Sequence, residues 1–250
     1  MQGVLYVSHG TRFEKGKQQA IDFLTDIQPS IEAPLQEICF LEICEPDVQQ
    51  GVKKLVEAGA TSISVVPVLL LTAGHALKDI PIELRKVKET YPWLDLTYGE
   101  PLGVQERIIG VVEERIREAS DQLEEDTTIL LVGRGSYDPA TRRDIETIAG
   151  TLEKRLTLQV KTAYLAAIKP KFNDMIENWP LHSKVVVAPY LWFEGLLTES
   201  MKKKVHELQE SGGEVDLCRP LGDHRNIVNA LIDRVHESFE CPFVVVEAAD

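Results

Sequence analysis

The chain has 250 residues, with 27 Lys and Arg against 40 Asp and Glu, a formal net charge of −13. That balance argues against a general nucleic-acid or anionic-membrane binder, because phosphate backbones and acidic lipids select basic surfaces. Hydrophobic residues at 44% and charged residues at 27% suit a globular protein, long enough for one large domain or two small ones.

In chain order, residues 4–7 read as a first buried strand, with no basic region before them to suggest a secretory signal. Residues 38–43, 63–71 and 94–98 are further strand candidates, several apolar on both faces as a parallel sheet requires. Leu77, Ile80, Leu84, Val87 and Tyr91 mark one face of a helix, with Asp79 as its cap and Pro81 in its first turn. Val104, Ile108, Val111, Val112 and Ile116 mark the next helix. This alternation predicts an α/β fold of parallel strands with helices on both faces. Residues 120–128 are polar and read as a linker. The longest apolar run, 185–193, is far short of the ~20 residues that cross a bilayer. Cys39, Cys44, Cys218 and Cys241 form no CxxC pair and are expected to be buried, reduced thiols of a cytoplasmic protein.

After the linker the pattern starts again. The strand ending in Gly133-Arg134-Gly135-Ser136 echoes the one ending in Ser8-His9-Gly10-Thr11. Tyr164 to Pro170 echoes Phe40 to Pro46, and Val186 to Leu191 echoes Ser64 to Leu69. Three echoes in one order, at a nearly constant offset, imply internal duplication. The expected organisation is two similar doubly wound parallel-sheet domains. Residues 1–122 would carry the active site, and 123–250 the other wall of a cleft.

The duplication is also an internal comparison, since a chemical residue can be kept in one copy only. His9 faces Arg134 in the second copy, Glu42 faces Ala166, and His75 has an apolar counterpart near Leu197. All three follow strands at the carboxyl end, where open α/β sheets bind ligands. Each alone could be a packed or capping residue, and Glu45 could simply favour a helix N-terminus. Together, two imidazoles and a carboxylate suit borderline divalent metals such as Fe²⁺, Co²⁺ or Ni²⁺. Two other motifs fail. Gly10 to Gln18 lacks the length and the Ser or Thr of a phosphate loop, and Gly133-Arg134-Gly135 has Asp138 where a dinucleotide fingerprint needs its third glycine. A histidine phosphatase would place an arginine before its histidine, and here Ser8 stands there.

The stretches Val7 to Arg12, Phe40 to Pro46, and Val66 to His75 running on to Asp79-Ile80-Pro81 resemble the sirohydrochlorin chelatases. These are ATP-independent enzymes that place Fe²⁺ or Co²⁺ in a modified tetrapyrrole. The resemblance covers most of the first half, and the duplicated layout is similar to the long, two-domain ferrochelatase that makes sirohaem. It implies that His9 and His75 bind the metal, that His9 accepts protons, and that Glu42 assists delivery or deprotonation. Glu45 and the segment Leu70, Leu71, Thr72, Ala73, Gly74 would line the macrocycle site. No organic cofactor is implied, only the substrate metal, and a monomer is expected because the duplication mimics a dimer. The alternatives are a cobaltochelatase, or more remotely a histidine phosphatase or a tetrapyrrole or metal carrier. The chain lacks the histidine-rich tail of some cobalt enzymes, which favours iron. Because the macrocycle carries many carboxylates, an acidic protein needs a locally basic site. Arg12, Lys15, Lys17, Lys78, Arg134, Lys169 and Lys171 are the candidates, with Arg134 placed to fork onto a carboxylate. Lys202, Lys203 and Lys204 read as a solvated helix face.

Overall fold

A computed structural model describes residues 1–120 and 122–244. It contains two four-stranded sheets, each with all strands parallel. The first holds β1 (Gln2–Ser8), β2 (Leu35–Phe40), β3 (Ser62–Val68) and β4 (Asp95–Tyr98) in the order β2-β1-β3-β4. The second holds β5 (Thr128–Gly133), β6 (Val160–Tyr164), β7 (Val185–Tyr190) and β8 (Val215–Leu217) in the matching order β6-β5-β7-β8. The duplication and the fold class expected from the echoes are both present.

The central strands are apolar throughout because helices cover them on both sides. Val4, Leu5, Tyr6 and Val7 of β1 are fully buried, as are Ile129 to Val132 of β5. The connecting helices of the first sheet are α1 (Glu14–Ile27), α2 (Val48–Glu57) and α3 (Ile80–Thr90). Asp47 starts α2 through a capping box with Gln50, so Glu45 has no role in that cap. Pro67 in β3 and Pro189 in β7 repeat for a shared reason. β4 pairs with β3 only as far as Val65, and β8 pairs with β7 only as far as Val187. The missing N–H of each proline therefore falls beyond the outer ladder, where it costs little.

Two expected strands end earlier than their apolar runs. β2 stops at Phe40 and β3 at Val68, so residues 41–43 and 69–71 form loops at the strand ends. Apolar residues there mimic strand continuation, yet Ile43 is 54% exposed at φ 72, a conformation β-branched residues rarely adopt. Among the described residues, no helix is long and apolar enough to cross a membrane. Cys39 and Cys218 are buried as expected, but Cys44 and Cys241 are partly exposed, and all four are free thiols.

The chain divides into two compact units, Met1–Gly103 with the chain from Val228 onward, and Val104–Ile227. The second unit contains α4 (Glu106–Ala119), α5 (Pro139–Leu156), α6 (Phe172–Glu177) and α7 (Leu196–Glu210). Most of α8 (Arg225–Ser238) lies in the first unit, where Ser238 meets Ser64 of β3 at 2.5 Å and Arg234 donates to the Leu102 carbonyl. A division at 122/123 follows the repeats, whereas packing assigns the last helix of each repeat to the opposite unit. The polar linker marks a break in pattern and carries no information about which sheet the flanking helix covers.

In the second unit, α4 is anchored by Arg115, which is buried to 3% exposure. Its guanidinium donates to the Pro220 and Leu221 carbonyls and to both oxygens of Glu118, which Arg219 also grips. The hydrogen bonds from Arg219, then those from Arg115, hold the Glu118 carboxyl down to about 2 from its ordinary 4.5. A carboxyl lowered on folding adds stability that is complete above pH 4.5 and lost as pH falls towards 2. Glu118 is 45% exposed, so water and salt screen it and the contribution is about 1 kcal/mol. Glu118→Gln is therefore expected to flatten the acid limb of the unfolding free energy over that window. An unchanged acid limb would refute the assignment.

Candidate metal centre

The first sheet reverses its winding between β1 and β3, which makes their carboxyl ends a topological switch point. Register brings the strand ends level, because Ser8 pairs with both Phe40 of β2 and Val68 of β3. His9 follows β1 directly. Glu42 lies two residues past β2, where its N–H donates to the His9 carbonyl and the Leu41 N–H to the Ser8 carbonyl. Gly10 makes this approach possible. At φ 93 it takes a left-handed conformation, and a Cβ there would lie 1.9 Å from the Glu42 carbonyl oxygen.

His75 arrives by a longer route. Residues 69–74 leave β3, and His75–Asp79 forms a π-helical turn leading into α3. Tyr98, at the end of β4, donates its hydroxyl to the Ala76 carbonyl at 2.7 Å and pins the turn to the sheet. Burial, with the charge of Glu100 adding, pushes that phenol well above its ordinary value, so it remains a donor at neutral pH.

His9, Glu42 and His75 each bring one ligand atom to within 4.8 Å of the others. Ligands on a single ion at ~2.1 Å lie at most ~4.2 Å apart, so modest side-chain shifts would close them on a cation. The His9 and His75 rings meet edge to face with centroids 4.6 Å apart, and His9 Nε2 lies 3.3 Å from Glu42 Oε1. His9 Nδ1 donates to the Gly10 carbonyl at 3.0 Å, because a carbonyl oxygen can only accept. Neutral His9 therefore presents a lone pair at Nε2, towards Glu42. His75 Nδ1 bonds Asp79 Oδ2 at 2.7 Å and likewise leaves Nε2 for a ligand. Both imidazole side chains are 27% exposed, whereas Glu42 is 49% exposed. The arrangement is two shielded nitrogen donors and one carboxylate open to water.

Asp79 is the residue that sequence reasoning misplaced. It was expected to cap α3, but its backbone is helical and its side chain makes no cap bond, turning to His75 instead. The His-x3-Asp spacing was the available signal, since residues i and i+4 share a helical face. Cys44, read from sequence as a buried thiol, is partly exposed and links two loops. Its thiol donates to the Thr11 carbonyl and accepts from the Thr11 N–H, tying the loop after β2 to the loop after β1.

The remaining site candidates lie at varied places. Leu70, Leu71, Thr72, Ala73 and Gly74 are half-buried along the approach to His75, and Arg12 and Lys78 are exposed on the loops that carry His9 and His75. Glu45 is not brought to the three ligands. It lines a groove with Lys17, Phe40 and Lys54 and is exposed. Arg134 is exposed at the end of β5. Lys202 pairs with Glu194 just before α7 and with Glu199 on it, and Lys204 pairs with Glu177 of α6 and Glu207 of α7. These lysines therefore tie α7 to its neighbours and do not only face solvent.

The second unit repeats the scaffold without the ligands. Gly135 takes φ 86, and a Cβ there would lie 2.3 Å from the Ala166 carbonyl oxygen. The Ala166 N–H donates to the Arg134 carbonyl as that of Glu42 donates to His9. Ala167 has the positive φ of Ile43, and the Lys169–Pro170 bond is cis like Glu45–Pro46. The backbone was retained while His9 and Glu42 became Arg134 and Ala166.

A family model described as CbiX matches residues 3–119 and again 128–238. The sirohydrochlorin ferrochelatase of Priestia megaterium is 42% identical over 238 residues, 94% of this chain and 90% of that protein. The sirohydrochlorin cobaltochelatase of the same organism is 32% identical over 249 residues, 96% of this chain and 81% of that protein. Among solved structures, SirB from Bacillus subtilis with Fe³⁺ matches with a TM-score of 0.84 at 36% identity, covering 95% of each chain.

Proposed function

The chain belongs to the CbiX family, and from that membership we propose that it inserts Fe²⁺ into sirohydrochlorin to give sirohaem, without ATP. The observation that carries this reading is the convergence of His9, Glu42 and His75 at the switch point of a chain 42% identical to a ferrochelatase.

Metallation exchanges two pyrrole N–H protons for one divalent ion, so the protein must hold a metal loosely and take protons away. Two imidazoles and a carboxylate leave coordination positions open, unlike a closed structural site. His75 and His9 hold Fe²⁺ through Nε2. As the macrocycle nitrogens replace the protein ligands one by one, His9 Nε2 becomes available to accept a released proton. An imidazole nitrogen is chemically suited both to bind a metal and to accept a proton. Glu42, 3.3 Å away and open to solvent, offsets the metal charge and passes protons outward. Residues 70–74 and Arg12 bind the macrocycle. The ring's four nitrogens supply the driving force, which is why no nucleotide is needed.

Co²⁺ insertion is the second reading, favoured by the cobaltochelatase relative, since the same donors suit that ion. The protein acts in the cytoplasm as a monomer, its internal duplication taking the place of a second subunit. Anaerobic incubation with sirohydrochlorin and either metal tests the reading. The absorption spectrum is expected to change to that of the metallated ring, faster with Fe²⁺ than with Co²⁺ and independently of ATP. No spectral change with either metal would refute the function, and faster turnover with Co²⁺ would transfer it to the cobalt reading.

A further inference from the structure

We infer that Asp79 is a positioning residue of the metal centre, selecting the His75 tautomer that leaves Nε2 free for the ion. The inference rests on the chelatase reading of His9, Glu42 and His75 and adds to it the means by which one ligand is oriented. The carboxylate lies 2.7 Å from His75 Nδ1. An ionised carboxylate can only accept, so a neutral His75 must carry its proton on Nδ1 and its lone pair on Nε2. In water, free imidazole can hold its proton on either nitrogen, and the bond to the other ring nitrogen decides which one meets a metal. The ring is also fixed in direction. Its Nδ1 is tied to the π-helical turn, and the edge-to-face contact with His9 sets its plane.

The local backbone is arranged for this pairing. The side chain of Asp79 does not cap α3, although the residue stands at the N-cap position. The π-helical turn is held from the sheet by the Tyr98 hydroxyl on the Ala76 carbonyl, so the segment carrying both His75 and Asp79 is anchored at one atom between them. Such turns recur at functional sites because the altered spacing re-aims side chains. Asp79 is 50% exposed, so its pairing with His75 is a poor device for stability and a sufficient one for orientation.

The test uses the full-length protein and Co²⁺ alone as probe, read by its visible d–d absorption, together with ¹⁵N chemical shifts of the His75 ring in metal-free protein. Asp79→Ala is expected to weaken Co²⁺ binding about 10–100-fold, the usual effect of removing a carboxylate behind a metal-bound histidine. Asp79→Asn is expected to weaken it as well, because a carboxamide can donate to Nδ1 and stabilise the wrong tautomer. The ¹⁵N shifts should move from an Nδ1–H pattern in the parent protein towards Nε2–H in Asp79→Asn. The KM for sirohydrochlorin should stay unchanged in both variants, and thermal unfolding should be that of the parent. Parent-like Co²⁺ affinity in either variant, or an unchanged tautomer in Asp79→Asn, would overturn the inference. Failure of the parent protein to bind Co²⁺ would instead overturn the metal centre itself, so the two results are distinguishable.

Discussion

Replacing His9 with Ala is expected to lower the rate of metal insertion at least ~10³-fold while leaving the fold intact. The substitution removes a metal ligand and the proton acceptor together, and a positioned acid–base group alone contributes ~10²–10⁴-fold. Stability should change little. His9 follows β1 outside the buried core, and the backbone bonds from Leu41 and Glu42 that shape its loop do not involve its side chain. Glu42→Gln should be milder, about 10–100-fold, because a carboxylate 49% exposed to water can be replaced in part by solvent as a proton relay. The measurement is the anaerobic rate with sirohydrochlorin and Fe²⁺, with thermal unfolding as a control. Parent-like turnover in His9→Ala would remove His9 from the mechanism.

Gly10→Ala should damage both stability and the site, and the comparison with Gly135→Ala separates the two effects. A left-handed backbone costs a non-glycine residue about 1–2 kcal/mol. The added Cβ would also lie 1.9 Å from the Glu42 carbonyl oxygen, so backbone atoms must move apart. A total near ~3 kcal/mol corresponds to a fall of roughly 6–12 °C in Tm for a chain of this size. The atom displaced belongs to Glu42, so Co²⁺ affinity should fall with it. At Gly135 a Cβ meets the Ala166 carbonyl oxygen at 2.3 Å in the same backbone turn. Gly135→Ala should therefore lose similar stability and keep its Co²⁺ affinity. Equal affinity in the two variants, whether both normal or both weak, would show that this turn does not set the ligand geometry.

The convergence of His9, Glu42 and His75 was legible for a particular reason. His9 and Glu42 occupy positions whose duplicated counterparts, Arg134 and Ala166, share the backbone and lack the chemistry. Duplication separates what a turn needs from what a reaction needs, which is why Gly10 recurs as Gly135 and His9 does not. Asp79 was not legible as a partner of His75, since Asp before a proline-containing helix start is the ordinary signature of a cap. The ends of β2 and β3 were misplaced because loop residues such as Leu41 and Ile43 are as apolar as the strands they follow.

The alternation of apolar runs and its repetition after the linker determined, without coordinates, that this is a duplicated parallel α/β protein. The reason is local, because burial on both faces demands continuous apolar strands wherever they lie. Only the tertiary structure decided that α4 and most of α8 pack with the unit opposite to their own repeat, and that Asp79 turns towards His75. Those outcomes depend on which surfaces the chain brings together and on the direction of single side-chain bonds. An amphipathic pattern specifies that a helix has a buried face without naming the sheet that will bury it.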